Sequence, residues 1–168
     1  MTSNEQSNVE SNYHEKLTEI ANFLLGWQGP IVLATHVDPD GDAVGSTLTL
    51  NRALKIMGKS TIVSLVVPNF LEFLPQPNEL VPQIDFSLAE SLLITLDAAT
   101  ASRVAGVTME SAKMTINIDH HGTNELFVDY SLIDPNKAAT ALIIKDLVEH
   151  LGVSWNQSPL DTERRTVQ

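Results

Sequence analysis

Short apolar runs alternate along this chain with stretches in which apolar residues recur at helical spacing. The runs are continuous, as in strands that are buried on both faces. They predict strands at residues 31–35, 61–67, 92–96 and 115–118, and a further strand over 127–133. The helical spacing predicts helices over 17–27, 43–57 and 138–151, a short helix through Arg103, and a loop with a short helix over 68–82. This alternation predicts an α/β fold, with a mostly parallel sheet and helices on both faces.

The composition fits one globular domain, because 43% of the 168 residues are hydrophobic and 18% are charged. We expect a flexible polar tail at residues 1–12, one domain over 13–155 and an irregular tail over 156–168. No secretory signal and no membrane association are expected, since no apolar run approaches the roughly 20 residues that span a bilayer. Cysteine is absent, which excludes disulfides and thiolate ligands and favours a cytoplasmic protein.

The chain is strongly acidic, with a formal net charge of −11. Nucleic-acid-binding proteins that rely on their own surface charge are usually basic, so binding of a DNA duplex is not expected. An acidic protein that acts on phosphates needs positive charge from another source, and bound metal ions are the obvious one. The alternative is that the charge serves solubility alone, and composition by itself favours that interpretation.

The first candidate motif follows the first predicted strand and places His36, Asp40 and Asp42 on one tight loop. Gly45 and Ser46 are expected in the first turn of the next helix, where unpaired backbone N–H groups favour an anion such as a phosphate. An alternative is that Asp40 or Asp42 merely caps that helix. A cap explains one aspartate, but it does not explain the histidine and the further aspartates beside it.

Two further candidates follow the third and fourth predicted strands. Asp97 by itself is as compatible with a helix cap as with a ligand, but beside the other motifs it becomes a candidate to bridge two metal ions about 3.5–4 Å apart. Asp119, His120 and His121 leave a strand on alternating sides, so we do not expect all three to bind one ion. One histidine can ligate, while the other can point toward substrate as a hydrogen-bond donor or acid. The alternative, a solvated polar turn, fits poorly after an apolar strand.

These motifs are predicted to meet at the carboxyl ends of parallel strands, the edge of such a sheet at which ligands bind. Carboxylates gathered there repel one another unless cations bind between them. Oxygen ligands together with a few histidines indicate a divalent-metal site. A metal site of this composition most often carries out phosphate chemistry.

The order of the motifs resembles the DHH family of phosphoesterases, which takes its name from a triplet like that at 119–121. The stretches 36–46, 97–106 and 134–140 are most similar to the oligoribonuclease/pAp phosphatase group of that family. The resemblance covers about residues 14–155 and involves three ordered motifs, which makes it specific. It implies a three-layer α/β/α domain that holds two Mn²⁺ or Mg²⁺ ions.

The resemblance also implies a role for each candidate residue: one ion held by His36 and Asp40, the other by Asp42 and His120, and Asp97 bridging the two. His121 would contact the scissile phosphate, and Asp119 would orient its neighbours. A hydroxide activated by the two ions would attack phosphorus. The substrates implied are short oligoribonucleotides and 3′-phosphoadenosine 5′-phosphate (pAp).

The sequence departs from the family pattern after the last predicted helix. The family's fourth motif, an aspartate commonly followed by Thr-Gly, has a weak counterpart in Asp161, which precedes a threonine but no glycine; the alternative is an exposed tail residue. The family's C-terminal substrate-binding domain would need on the order of 100 further residues. We therefore expect a fold that is incomplete at its C-terminal end, with exposed apolar surface and an unpaired edge strand that promote self-association.

Two alternatives to a nucleotide-hydrolysing enzyme follow from these departures. One is a catalytically impaired remnant that binds metal without turnover. The other is a hydrolase of inorganic pyrophosphate, which the predicted phosphate site at Gly45 and Ser46 allows.

Overall fold

The elements of the structure follow the predicted alternation. The computed structural model describes residues 3–154, with side chains from residue 12 onward. The elements in chain order are α1 (Ser3–Gly26), β1 (Ile31–Thr35), α2 (Gly41–Ile56), β2 (Thr61–Ser64), β3 (Leu80–Val81), β4 (Leu92–Leu96), β5 (Met114–Asp119), β6 (Tyr130–Ile133) and α3 (Thr140–His150). Short 3₁₀ turns lie at Asn69–Leu71, Ala101–Arg103 and Met109–Ser111. Within the described residues, no helix combines the length and the apolar character needed to cross a membrane.

The described strands form one six-stranded sheet in the order β3-β2-β1-β4-β5-β6, with parallel pairing throughout. This confirms the predicted α/β class and its mostly parallel sheet. Strands β2 and β3 extend the sheet on one side of β1, and β4, β5 and β6 extend it on the other side, so the direction in which strands are added reverses between β1 and β4. In open α/β sheets, ligands bind beyond the carboxyl ends of the strands at such a reversal. His36 and Asp97 come directly after these two strands.

The two faces of the sheet are covered differently. Successive side chains of a strand point to opposite faces, so β1 sends Ile31 to one face and Val32 to the other. The first face packs against α1, α2 and α3 and forms the larger part of the core. The second is covered by apolar residues from the segments 84–88 and 104–112. The sequence predicts helices on both faces, but isolated apolar residues on loops and 3₁₀ turns are sufficient to cover the second face.

Helix α1 begins earlier than the sequence predicts. It starts at Ser3, so the stretch 1–12, predicted as a flexible tail, is helical in its backbone from that residue onward. No glycine or proline interrupts residues 3–25. Once the apolar side of this helix packs on the sheet, each further helical residue toward the N-terminus costs little. The shortage of apolar residues in 1–12 therefore does not predict where the helix begins.

The other differences concern element ends. β2 ends at Ser64 rather than at residue 67, and the short strand β3 lies within 68–82, which the sequence predicts as a loop. Beyond β2 the main-chain N–H of Leu65 still donates to the oxygen of Val81, at 2.9 Å. The predicted tail over 156–168, and with it Asp161, lies outside the described residues.

Candidate metal centre

His36 lies directly after β1, where the residue is only 9% exposed. Its Nδ1 is 2.8 Å from the main-chain oxygen of Val37. Because a carbonyl oxygen can only accept, Nδ1 donates the hydrogen bond and Nε2 of the neutral ring carries a lone pair. That Nε2 faces Oδ2 of Asp97 at 3.7 Å. Because both atoms are hydrogen-bond acceptors, their facing arrangement favours the binding of a cation between them.

Asp97 follows β4 with its backbone in the left-handed region, at φ 56°. This conformation is costly for a residue other than glycine, and strain of this kind is often found at functional sites. The residue is 4% exposed. Burial raises the pKa of its carboxyl, as do the carboxylates of Asp42 and Asp40, although the Thr140 hydroxyl donates to Oδ1 at 2.8 Å. A buried carboxylate in this setting is favoured when a proton or a cation compensates its charge.

Asp40 completes the first group of potential ligands. It is the N-cap of α2, where its Oδ1 accepts from the main-chain N–H groups of Asp42 at 2.9 Å and Ala43 at 3.1 Å. The other carboxylate oxygen takes no part in this cap, so capping and ligation are compatible. His36, Asp40 and Asp97 each offer one ligand atom, and these atoms lie within 4.8 Å of one another.

His120 faces the same aspartate from the end of β5. Its Nδ1 lies 3.2 Å from the main-chain oxygen of Lys137, which can only accept, so Nε2 again carries the lone pair. That Nε2 is 3.7 Å from Oδ1 of Asp97 and 3.9 Å from Oδ2 of Asp42. Asp97, His120 and His121 form a second group with ligand atoms within 4.8 Å of one another. Asp97 belongs to both groups, which is the position that a bridging ligand would take.

Asp42 joins the two helices beside the site. Its Oδ2 accepts from the N–H of Thr140 at 2.7 Å and its Oδ1 from the N–H of Ala141 at 2.8 Å, so it caps α3 from the first turn of α2. The capping role that the sequence allows is therefore present, although the capped helix is a different one. Asp42 is outside both three-residue groups of the described chain. Each carboxylate oxygen has a second lone pair, so the cap does not prevent ligation of an ion beside His120.

His121 and Asp119 form a close hydrogen-bonded pair, with 2.6 Å between Nδ1 and Oδ1. This hydrogen bond raises the pKa of the His121 ring against the opposing effect of burial. The side chain of Asp119 is 0% exposed and that of His121 is 45% exposed. Asp119 also accepts from the main-chain N–H of His120 at 2.8 Å and from Nδ2 of Asn124 at 2.7 Å. Asp119 therefore holds His120 by its main chain and His121 by its ring Nδ1.

The first-turn position predicted for Gly45 and Ser46 is wrong. Helix α2 begins at Gly41, because the side chain of Asp40 captures the first main-chain N–H groups. Gly45 and Ser46 consequently lie beyond the first turn, where N–H groups belong to the helical ladder. The Ser46 side chain is buried and donates to Oδ1 of Asp42 at 3.2 Å. The free N–H groups on which the predicted phosphate site depends are not offered by these residues.

The sequence did not single out four residues that position the site: Lys137, Thr140, Asn117 and Asn124. Asn117 lies in β5 among isoleucines, and its Nδ2 donates to Oγ1 of Thr95 at 2.9 Å, while its Oδ1 accepts from Asn124 at 2.8 Å. A buried amide is costly unless its hydrogen bonds are made. An asparagine within an apolar strand was therefore an available signal, and the signal for Lys137 and Thr140 was their place in the stretch 134–140 that resembles the family.

The donor set as a whole suits a divalent cation. Two imidazole lone pairs converge on opposite oxygens of Asp97, that of His36 on Oδ2 and that of His120 on Oδ1. Imidazole nitrogen combined with carboxylate oxygen is a ligand set that divalent metal ions accept. The described residues therefore contain a candidate Asp/His metal centre at the carboxyl ends of β1, β4 and β5.

Comparison with known proteins agrees with this geometry. A family model described as the DHH family, N-terminal domain, matches residues 30–166. The sequence is 48% identical over 146 residues to the bifunctional oligoribonuclease and PAP phosphatase NrnA of Thermus thermophilus, a match that covers 87% of this chain and 44% of that protein. It is 33% identical over 150 residues to the uncharacterized protein MG371 of Mycoplasma genitalium, covering 86% of this chain and 43% of that protein. The chain thus spans less than half the length of these relatives.

The fold is also found among solved structures. An exopolyphosphatase-related protein from Bacteroides fragilis superimposes with a TM-score of 0.72 at 22% sequence identity, and the match covers 83% of this chain and 44% of that chain. At this level of identity the likeness shows a shared fold.

Proposed function

Because the chain belongs to the DHH family, through that family's N-terminal domain, we propose that it hydrolyses phosphate esters at a centre of divalent metal ions. The observation that carries this proposal is the position of Asp97, which both groups of potential ligands share and which His36 and His120 face from opposite sides. Similarity to the Thermus oligoribonuclease and PAP phosphatase supports short oligoribonucleotides and pAp as substrates. The cysteine-free sequence supports the cytoplasm as the compartment.

The proposal assigns two ions, Mn²⁺ or Mg²⁺, to the two sides of Asp97, with Asp42 in place of His121 as the ligand beside His120. The residues that would hold them are His36 and Asp40 on one side, His120 and Asp42 on the other, and Asp97 between them. Such ions stabilise negative charge on a phosphate and lower the pKa of water. The support for two ions rather than one is that Asp97 faces His36 through Oδ2 and His120 through Oδ1, each at 3.7 Å.

His121 is the side chain that we assign to the reacting phosphate. Its Nδ1 is engaged by Asp119, and this contact raises the pKa of the ring. Nε2 of the protonated ring can therefore donate a hydrogen bond to a phosphate oxygen or a proton to the leaving oxygen. Asp119 keeps the ring in this orientation and, because it is fully buried, does not reach a substrate itself.

Arg103 brings a further positive charge to the same edge of the sheet. Its guanidinium Nη2 lies 3.4 Å from Nδ1 of His36, but that nitrogen already donates to Val37 at the shorter distance of 2.8 Å. None of the ion pairs in residues 12–154 involves Arg103. Its N–H groups are thus available to a phosphate, which a guanidinium group binds well.

The test is hydrolysis of a dinucleotide and of pAp by the full chain in the presence of Mn²⁺. Asp97→Asn is expected to lower the rate by about a hundredfold or more, because it removes the carboxylate charge at the centre of the site. Asp85→Asn, at an exposed aspartate that belongs to neither group of potential ligands, is the matched control and should retain the rate. Hydrolysis that survives Asp97→Asn would place the activity elsewhere.

The same experiment tests the first of the two alternatives. Binding of Mn²⁺ by the wild type without hydrolysis of either compound would favour the catalytically impaired remnant. The hypothesis of pyrophosphate hydrolysis depended on a phosphate site at Gly45 and Ser46. That support is lost, because these residues do not lie in the first turn of α2.

A further inference from the structure

We propose that a cavity beside the metal centre binds the nucleobase of the substrate, an inference that rests on the proposed hydrolysis of nucleotides. The cavity has a volume of about 450 Å³, and small-molecule pockets commonly measure roughly 300–1,000 Å³. It opens beyond the carboxyl ends of β1 and β2. His36 belongs both to its lining and to the first group of potential ligands. A molecule with its phosphate at the metal centre would therefore have its remaining groups at the mouth of the cavity.

The lining is mostly apolar and contains no lysine or arginine side chain. Its apolar surface comes from Val37, Leu65, Val66, Val67, Pro68, Pro82 and Ala105. Without lysine or arginine, the cavity does not suit a second phosphate, whereas an uncharged aromatic ring would bury its faces there. Within the described residues the side-chain amide of Asn69 makes no hydrogen bond, so it can both donate to and accept from the edge of a base.

The charges around the cavity fix the orientation of a bound nucleotide. Asp38 is the acidic residue of the lining, and its carboxylate disfavours a phosphate inside the cavity. Cations held by His36, Asp40 and Asp97 would attract the phosphate to the other side of the His36 ring. The base is then the part of the nucleotide that is left for the cavity.

One wall of the cavity is fixed before any ligand binds. Gly106 lies at φ 75°, and a Cβ atom there would overlap the hydroxyl of Ser64. Its carbonyl accepts from that hydroxyl at 3.0 Å and from the main-chain N–H of Ile84 at 2.8 Å. A wall that is already ordered does not have to be ordered by the ligand, which lowers the cost of binding.

The test compares AMP with ribose 5-phosphate, which carries the same phosphate and sugar but no base. Calorimetry on the full chain with Mn²⁺ is expected to show that AMP binds about tenfold more tightly. Ala105→Leu is expected to fill part of the cavity and to remove most of this preference, while the affinity for ribose 5-phosphate stays unchanged. The matched control is Ala112→Leu, at a half-buried alanine outside the lining, and it should change neither affinity.

A second variant does not depend on repacking. Asn69→Ala, at an exposed position, is expected to weaken AMP binding about fivefold through loss of the hydrogen bonds to the base. Equal affinity of the wild type for AMP and ribose 5-phosphate would overturn the base site and leave the proposed hydrolase standing. A preference for AMP that survives both variants would overturn the assignment to this cavity. If neither compound binds, the proposed function fails and the base site fails with it.

Discussion

Nδ1 of His120 donates to the main-chain oxygen of Lys137, 3.2 Å away, and the Lys137 ammonium group is itself held by Asp146 at 2.7 Å. The hydroxyl of Tyr13 also donates to Asp146, at 2.9 Å. Burial and the contact with Asp146 raise the pKa of Tyr13. For Asp146 the effect of burial is outweighed by the hydrogen bonds from Lys137 and Tyr13, which lower its pKa and keep it ionised. The orientation of a candidate metal ligand thus depends on the contact of Lys137 with Asp146, which ties the segment before α3 to that helix.

Loss of this contact is expected to weaken metal binding without unfolding the chain. Asp146→Ala frees the segment that carries the Lys137 carbonyl, so the His120 ring loses part of its orientation, and the affinity for Mn²⁺ should fall about tenfold. Calorimetry measures the affinity, and thermal unfolding checks the fold. The control is Lys145→Ala, at an exposed residue of α3 that pairs with Glu149. An equal loss in the control, or no loss in Asp146→Ala, would contradict the prediction.

Thr140 is expected to stabilise the folded chain through Asp97. Thr140→Val keeps the shape of the side chain but removes the hydroxyl that donates to Oδ1, which leaves the buried carboxylate short of a donor. The free energy of unfolding should fall by roughly 1–3 kcal/mol, as measured by urea denaturation with a chelator present. Thr140→Ser retains the hydroxyl and should recover most of the loss. If serine were no better than valine, the hydroxyl would not be the cause.

The sequence was sufficient to place the candidate ligands at strand ends because apolar runs mark buried strands. His36, Asp97 and Asp119 are the polar residues at which three such runs end. Parallel strands in one sheet bring these ends to the same edge, so the predicted clustering follows from topology alone. The hydrogen bonds that orient the candidate ligands could not be predicted in this way. Thr140 reaches Asp97, and Lys137 reaches His120, across chain separations that leave no periodic signal.

The capping pattern shows a second limit of the sequence. An aspartate near the start of a helix can be a helix cap or a metal ligand, and the residue type alone does not distinguish the two roles. Asp40 caps the helix that it precedes, while Asp42 caps α3, which begins at Thr140. Which helix a carboxylate caps depends on how α2 and α3 pack, and local sequence does not contain that information. The error about Gly45 and Ser46 has a local origin instead, since the cap at Asp40 starts α2 at Gly41, ahead of the predicted start at residue 43.

Glu79 is expected to make stability depend on pH in the acidic range. It joins the segment before β3 to α2 by accepting from Nη2 of Arg52 at 2.8 Å. Burial alone would raise the pKa of Glu79, but the hydrogen bonds from Arg52, from the main-chain N–H of Gln76 and from Asn51 outweigh it and lower the pKa below its usual value near 4.5. A lowered pKa means that the stabilisation is present above that value and is lost as pH falls through the folded-state pKa.

Glu79→Gln therefore separates the charged contact from the rest of the fold. At neutral pH the variant should be less stable than the wild type by roughly 1–3 kcal/mol. This difference should shrink below the usual pKa of a glutamate, because the wild type then loses the same charge. Urea denaturation across this pH range measures both chains, with Glu110→Gln at an exposed site as the control. A difference that is constant with pH would show that the ionised form of Glu79 is not what stabilises the fold.

Substitutions of the adjacent histidines His120 and His121 are expected to impair different properties, metal binding for His120 and catalysis for His121. His120→Gln removes an Nε2 that faces two carboxylates, so the affinity for Mn²⁺ should fall by about tenfold or more. His121→Gln should leave that affinity nearly unchanged but lower kcat on a dinucleotide about 10²- to 10⁴-fold, since it removes the proposed proton donor. His14→Gln, at an exposed residue of α1, is the control for both measurements. Equal loss of Mn²⁺ binding in the His120 and His121 variants would make His121 a ligand and leave the leaving oxygen without its assigned donor.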